Sequence, residues 1–187
     1  MICSAGKFVF IHVPRTGGTS IESQLKKRFK IEGNKHQSMF EIMGNIDVSE
    51  FFKFTFVRNP WDLVISKYFA PYYSNINYLS GKTLSYFLEN YSPAINEAGD
   101  SFFDFFNPDD MDFIGRFEDR DKGLEVISQK IGIDLDPHFS VKNKEMQKAK
   151  SKKKFWEYYD EETIEIVYNK YKLDIDYFNY KYPVAQA

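Results

Sequence analysis

Runs of apolar residues separated by polar turns recur along the chain and predict alternating strands and helices. Lys7 to Val13 is a short run rich in β-branched and aromatic residues, which is typical of a buried strand. A turn from Pro14 to Gly18 follows it, and a helix is predicted from Thr19 to Phe29. The apolar stretch that ends at Arg58 predicts a second strand, and "MDFIGRFED" predicts a third.

Helix start and stop signals lie between and after these strands. Ser38 and Glu41 have the spacing of a capping box before a short helix. Pro60 is suited to the first turn of a helix, and Gly132 to the end of a helix over Lys122 to Ile131. Two more helices are predicted over Thr83 to Asn90 and over Asp160 to Tyr171. Because strands and helices alternate, we predict parallel strand pairing with right-handed crossovers, and hence an α/β fold with a layered sheet.

Composition narrows the class of protein. With 187 residues, 43% of them hydrophobic, the chain has enough apolar material for one core, and we predict a single domain over residues 1–187. The net charge of −2 gives no general basic field, so we expect no nucleic-acid partner. Cys3 is the only cysteine, which excludes an internal disulfide and fits a reducing compartment. Because no apolar run is long enough to span a membrane, a cytoplasmic location is expected.

Glycines and hydroxyl groups follow the first predicted strand. Ligands of parallel sheets gather at the carboxyl ends of the strands, where this turn lies. Gly17 and Gly18 allow a tight turn and a close backbone approach to an anion, and amides at the start of the next helix point toward it. Thr19 and Ser20 add hydroxyl donors. The sequence therefore predicts an anion site at this turn.

The turn differs from the loop of nucleotide-hydrolysing proteins, G-x-x-x-x-G-K-[ST]. Gly18 and Ser20 fit its end, but Val13 replaces the first glycine and Thr19 replaces the lysine. Arg15 supplies a cation inside the turn instead, and no predicted strand ends in an aspartate that would organise Mg²⁺. The pattern favours an anion site without a metal.

Four stretches resemble sulfotransferases that use 3′-phosphoadenosine 5′-phosphosulfate (PAPS). "VPRTGGTS" resembles the 5′-phosphosulfate loop of that family, and "FVRNPWDLVISKYF" resembles its 3′-phosphate motif, with Arg58 and Ser66 at the two binding positions. "DFIGRFED" and "YYDEETIEIVYNKYKLDIDYFNY" are similar to the C-terminal half of the carbohydrate-type branch. The resemblance implies a three-layer α/β fold, in which helices flank a parallel sheet of P-loop-like topology.

The resemblance also implies a reaction and a set of site residues. The cofactor would be PAPS, and its sulfonyl group would move to an acceptor hydroxyl on a carbohydrate or glycolipid precursor. Arg15 takes the place of the family lysine that stabilises the leaving phosphate. Arginine keeps the positive charge but places it differently, so we expect the substitution to affect the rate of the reaction rather than the binding of the cofactor. The residues that would bind the cofactor are Arg15, Thr16, Gly17, Gly18, Thr19, Ser20, Arg58 and Ser66.

The acceptor hydroxyl needs a base, and histidine suits this role because its unperturbed pKa is roughly 6.5. The resemblance implies His36, which lies between the two nucleotide motifs, as the catalytic base, with a surface histidine as the alternative. We interpret His12 as a packed or hydrogen-bonded residue at a strand end, and His138 as a loop residue. Glu41 is a weaker candidate, because a capping box explains it.

Two other functions remain open. A P-loop-type small-molecule phosphotransferase would depend on ATP and Mg²⁺. A noncatalytic nucleotide-binding protein would bind the bisphosphate without turnover. The sequence specifies no oligomeric state.

Further segments are candidates for ligand contacts. The lysine run Lys150 to Lys154 could close over the 3′-phosphate, bind an anionic acceptor or form a solvated surface loop. Arg116 to Glu118 could frame the adenine or the acceptor. Aromatic residues in Ala70 to Gly81 and in Asn90 to Asp109 could stack on a sugar ring.

Overall fold

The computed structural model describes residues 1–70, 82–90, 99–139 and 153–183. These residues fall into two compact units, one within Met1–Arg58 and Asn96–Val141, the other within Asn59–Ile95 and Lys142–Ala187. We describe each unit by itself. The single domain over residues 1–187 stays a prediction.

The first unit is built on a sheet. Among the described residues the sheet has four strands in the order β1 (Ile2–Cys3), β2 (Phe8–Ile11), β3 (Phe52–Val57) and β4 (Phe113–Arg116). Strands β2, β3 and β4 are parallel, which confirms the predicted pairing, and β1 is antiparallel to β2. The sequence did not indicate β1, because two residues are too few to show alternation.

Helices connect and follow these strands. The first unit contains α1 (Gly18–Leu25), α2 (Met39–Met43) and α5 (Arg120–Ile131), and the second contains α3 (Pro60–Tyr68), α4 (Leu84–Asn90), α6 (Glu161–Lys170) and α7 (Lys172–Tyr177). The predicted start and stop signals are confirmed at Ser38, Pro60 and Gly132, the last with the left-handed φ of 72° that favours glycine. Helix α1 ends four residues earlier than predicted, because the chain continues from Leu25 in turns that include the 3.0 Å bond from the Arg28 amide to the Leu25 carbonyl.

The core of the first unit lies between one face of the sheet and two helices. Alternate residues of β2 and β3 face inward, as the twofold period of a strand requires, and they meet the apolar stripes of α1 and α5. The core side chains include Phe8, Phe10, Phe54, Phe56, Ile21, Leu25, Leu124 and Ile127.

The second unit joins helices through buried aromatic residues. Trp61 of α3 donates from Nε1 to the Ile164 carbonyl of α6 at 3.2 Å, and the hydroxyl of Tyr159 donates to the Trp61 carbonyl at 2.8 Å. Burial raises the pKa of Tyr159 well above its usual range. Helix α6 begins with a capping box between Asp160 and Thr163, so its predicted start is confirmed.

An α/β fold with a mostly parallel sheet flanked by helices is therefore confirmed. Its three-layer, P-loop-like topology stays a prediction. None of the helices in residues 1–70, 82–90, 99–139 and 153–183 is both long and apolar enough to cross a membrane.

Helix α5 packs against the sheet through glycine. A methyl group added to Gly123 of α5 would lie 2.8 Å from Cε1 of Phe56, and one added to Gly115 of β4 would meet the same ring. Glycine at these two positions therefore allows the Phe56 ring to fill the space between the helix and the strands.

The Gly123→Ala substitution tests this packing. Alanine in a helix interior normally gains about 1 kcal/mol over glycine. Here we expect a net loss of about 1–3 kcal/mol in the free energy of unfolding, because the methyl group overlaps with Phe56. Urea denaturation measures the change. Gly44→Ala is the matched control, since the closest atom to its methyl group would be the Phe40 carbonyl oxygen at 3.4 Å. Equal stabilisation of both variants would contradict the packing argument.

Candidate functional site

The turn after β2 has an unusual backbone. Arg15 and Gly17 both have left-handed φ angles, of 68° and 84°. A left-handed φ is uncommon for a residue with a side chain, so neighbouring contacts must hold it. The Thr16 hydroxyl donates to the Val13 carbonyl at 2.8 Å, and Nη1 of Arg58 donates to the Arg15 carbonyl at 2.8 Å. The turn is therefore held by the hydrogen bond of its own Thr16 and by the hydrogen bond from Arg58 at the end of β3.

Helix α1 starts directly at this turn. Its N-cap residue is Gly17, which has no side chain to accept bonds from the first amides, and the dipole of the helix favours an anion there. A methyl group on Gly18 would overlap with the His12 ring, and one on Gly17 would lie 3.1 Å from the Phe117 ring. Glycine is therefore required by close neighbours as well as by backbone conformation.

Arg58 lies at the carboxyl end of β3, as predicted. Its guanidinium stacks over the Phe117 ring at 4.1 Å from the ring centre while it donates to Arg15. These two contacts place its charge beside the turn. A guanidinium carries five N–H donors, of which the bond to Arg15 uses one.

His36 also lies next to the turn. Its Nδ1 is 2.8 Å from the His12 carbonyl oxygen, and the two imidazole rings are 4.7 Å apart between centres. A carbonyl oxygen only accepts, so Nδ1 carries the proton and donates, and the neutral ring has its lone pair on Nε2. The backbone thereby selects the tautomer that a general base needs.

His12 and Glu22 form a buried polar pair beneath the turn. Nδ1 of His12 lies 3.2 Å from Oε2 of Glu22, and the histidine is 2% exposed. Burial lowers the pKa of His12 to about 4, so the ring is neutral near neutral pH. The approach of His12, together with Nζ of Lys26 at 2.6 Å, lowers the pKa of Glu22 to about 2.

Lys35 approaches the start of helix α1 from the other side. Its Nζ donates to Oγ1 of Thr19 at 3.3 Å and lies 3.8 Å from Oε2 of Glu22. The segment that carries His36 is therefore held to helix α1 by a side chain as well as to β2 by the His36 ring.

The structure gathers most of the predicted site residues in the first unit. Arg15, His36 and Arg58 are half-buried around the turn, Thr16 is buried and Thr19 is exposed. Gly17, Gly18 and Ser20 form the start of helix α1 and the residue before it. Ser66 is half-buried on α3 in the second unit, and its pairing with Arg58 stays a prediction.

The competing base candidates have other positions. Both Ser38 and Glu41 take part in the predicted capping box: Oε2 of Glu41 accepts from the Ser38 amide at 2.7 Å, and this confirms the box. His12 is packed and hydrogen-bonded through its carbonyl, as expected, and His138 is exposed. His36 as the base stays a prediction.

The sequence analysis missed Glu22. The buried residues of helix α1 include Gly18, Ile21, Glu22 and Leu25, which are spaced as one helix face. An acidic residue on an apolar stripe is costly to bury without a partner. The position of Glu22 on this face could therefore have indicated, from the sequence alone, a polar partner on the facing strand.

The expectation of sugar stacking does not hold for three phenylalanines of the second segment, and it stays a prediction for the half-buried Phe103. Within Asn90 to Asp109, the rings of Phe102, Phe105 and Phe106 are buried, at most 1% exposed, so they cannot stack on a ligand. The Phe105 carbonyl accepts from the Met39 amide at 2.6 Å, which joins this segment to the start of α2. Most of Ala70 to Gly81 lies outside the described residues, and so does Lys150 to Lys154 apart from its last two lysines.

A separate cavity of about 630 Å³ lies at the other edge of the sheet. Its lining includes Lys53 near the start of β3 and Asp112 just before β4, so it is at the amino ends of these strands. The predicted site is at the carboxyl ends. The cavity is therefore not part of that site.

Comparison with known proteins gave one match. Residues 105–181 match the model described as "Sulfotransferase family". The resemblance to sulfotransferases is confirmed. The matched part contains β4 and all the described helices that follow it, but neither of the two stretches that resemble PAPS-binding motifs. The match supports sulfonyl transfer in general, and the carbohydrate-type branch of the sulfotransferases is only suggested. No match was found among curated proteins or among solved structures.

The buried His12 predicts a specific loss of stability in acid. Its pKa is about 4 in the folded protein and roughly 6.5 when unfolded, so between these values the unfolded chain binds more protons. The stabilisation is present above pH 6.5 and is lost as the pH falls toward 4. We expect the free energy of unfolding to fall by roughly 1 kcal/mol per pH unit between about pH 6 and 4.5.

Denaturation curves at several pH values measure this slope. His12→Asn should flatten it, whereas His138→Asn, which changes an exposed histidine, should leave it unchanged. A wild-type slope that survives in His12→Asn would assign the acid sensitivity to another group.

Proposed function

We propose that this protein transfers the sulfonyl group of PAPS to a hydroxyl on a carbohydrate or glycolipid precursor. The observation that carries the proposal is the bond between His36 Nδ1 and the His12 carbonyl, which lies immediately before the anion turn. When the His36 ring is neutral, this bond leaves its lone pair on Nε2, beside a helix start that favours an anion. The sulfotransferase match in residues 105–181 supports the same type of reaction.

The residues at the turn fit the donor. Bound PAPS would supply an activated sulfonyl group attached to a phosphate. The uncapped start of helix α1 offers amides, Thr19 and Ser20 offer hydroxyl groups, and Arg15 and Arg58 offer positive charge, which together suit an anion. Gly17 and Gly18 add no Cβ to this part of the turn, where the rings of Phe117 and His12 already lie close.

Each residue at the turn has a proposed task. Arg15 and the amides of residues 16–20 stabilise the negative charge that grows on the leaving phosphate. Arg58 and Ser66 bind the 3′-phosphate, in the roles that their motif has in the resembled family. Arg58 needs little reorganisation for this task, because Phe117 and the Arg15 carbonyl already orient it.

His36 acts as the general base. Its Nε2 removes the proton from the acceptor hydroxyl, while Nδ1 keeps its proton and its bond to the His12 carbonyl. That carbonyl also stabilises the imidazolium that forms, since it accepts from the same Nδ1–H in both protonation states. The ring therefore needs no reorientation during the proton transfer.

Donor binding is tested by calorimetric titration with 3′-phosphoadenosine 5′-phosphate in the absence of metal. We expect clear binding that weakens about 10- to 100-fold in Arg58→Ala, because a charge-assisted contact worth about 1.5–3 kcal/mol is lost. Arg28→Ala is the matched control, since Arg28 is an exposed arginine outside the turn.

The same titration with ATP and Mg²⁺ decides between ligands. If the wild-type protein prefers ATP with Mg²⁺, or if Arg28→Ala weakens the bisphosphate as much as Arg58→Ala does, the proposed donor site is wrong. The phosphotransferase alternative would then take precedence.

The base is tested with His36→Ala and a labelled sulfate donor in an acceptor screen. We expect turnover to fall about 10²- to 10⁴-fold, the usual contribution of a general base, while the affinity for the bisphosphate stays within about twofold. His138→Ala changes an exposed histidine and should keep full turnover. Unchanged turnover in His36→Ala would remove this residue as the base.

A further inference from the structure

Glu22 contacts the proposed site without facing it. It is on the second turn of helix α1, and its carboxylate is almost completely buried. A buried carboxylate is costly unless partners surround it. Its closest partners in the described residues are Nζ of Lys26 at 2.6 Å and Nδ1 of His12 at 3.2 Å.

His12 connects this carboxylate to His36. The His12 ring lies between Glu22 and the backbone of Gly18, where a methyl group would overlap with it, so the ring has little room to turn. The same residue presents its carbonyl oxygen to His36 Nδ1 at 2.8 Å. The orientation of the His12 residue therefore decides where the acceptor for His36 lies.

Glu22 also approaches His36 along the chain. Its Oε2 lies 3.8 Å from Nζ of Lys35, the residue directly before His36. The Glu22 carboxylate therefore lies close to two neighbours of His36: His12, whose carbonyl accepts from His36, and Lys35, which precedes His36 in sequence.

We propose that Glu22 is a positioning residue for proton transfer: by fixing the His12 ring, it holds the His12 carbonyl in the place that selects the Nδ1–H tautomer of His36. Glu22 itself touches no reacting atom. Oε2 of Glu22 lies 3.2 Å from Nδ1 of the neutral His12 ring, so the charge of the carboxylate also favours the His12 tautomer with its proton on Nδ1. The kinetic part of this inference rests on the proposed sulfonyl transfer, whereas the part that concerns the tautomer of His36 does not.

Glu22→Met is the main test variant. Methionine has a similar length and is apolar, so it suits the buried stripe of helix α1 and leaves no large cavity. It removes the carboxylate from beside His12. Glu22→Gln is the conservative variant, because its amide oxygen can take the place of Oε2 beside the His12 ring. Glu32→Met is the matched control, since it replaces an exposed glutamate of the same unit.

Nitrogen-15 NMR of histidine-labelled protein reports the tautomer without any substrate. His36→Ala and His138→Ala assign the signals of the three histidines. We expect wild type, Glu22→Gln and Glu32→Met to show His36 with the proton on Nδ1, and Glu22→Met to show a mixture of tautomers. An unchanged His36 tautomer in Glu22→Met overturns the inference.

Turnover gives the second measurement. In Glu22→Met we expect kcat to fall about 10- to 100-fold, the size expected when a catalytic group is misplaced by about 1 Å. KM and the affinity for 3′-phosphoadenosine 5′-phosphate should stay within about twofold, and Glu22→Gln should recover most of kcat.

The two measurements separate the possible failures. If bisphosphate affinity falls together with kcat in Glu22→Met, Glu22 stabilises the turn as a whole and the positioning role is wrong. If the wild-type protein binds no bisphosphate and shows no turnover, the proposed function fails, and the tautomer experiment alone decides the role of Glu22.

Discussion

The position of the His12 ring constrains the residues that surround the carboxyl end of β2. Residues Phe8, Phe10 and His12 alternate along the strand, so the histidine continues the core face, and its ring stacks on Phe10 with 5.7 Å between ring centres. The ring leaves no space for a side chain at position 18, and the His12 carbonyl accepts a hydrogen bond from His36. A polar residue thus takes a place that packing alone would give to another aromatic ring.

The elements of the fold were largely predictable because their signals are local. Apolar runs identified β2, β3 and β4, and Ser38, Pro60 and Gly132 marked helix ends through cap geometry that depends on a few neighbouring residues. Strand β1 and helix α7 were not predicted. A two-residue strand has no period, and α7 follows α6 directly, so no turn signal separates them.

The site was predictable only in part, because its contacts join residues that are far apart in sequence. The glycine turn and Arg58 follow from motif and position in a parallel sheet. The contact of Arg58 with the Arg15 carbonyl spans 43 residues, and that of His36 with the His12 carbonyl spans 24, so no local pattern reports either. Glu22 had a local signal in its place on the apolar stripe of α1, but its partner His12 becomes visible only when both core faces are considered together.

Arg58 donates to the carbonyl of Arg15, whose backbone is left-handed, and this bond would couple the two halves of the proposed ligand site. Any anion that engages Arg58 acts on the same guanidinium that braces the turn, and any anion in the turn acts on the carbonyl that braces Arg58. By thermodynamic reciprocity, each partial ligand must change the affinity for the other by the same factor. Binding of one phosphate of a nucleotide would therefore change the affinity for its other phosphate. Two fragments that carry one phosphate each would show this cooperativity only when both are bound.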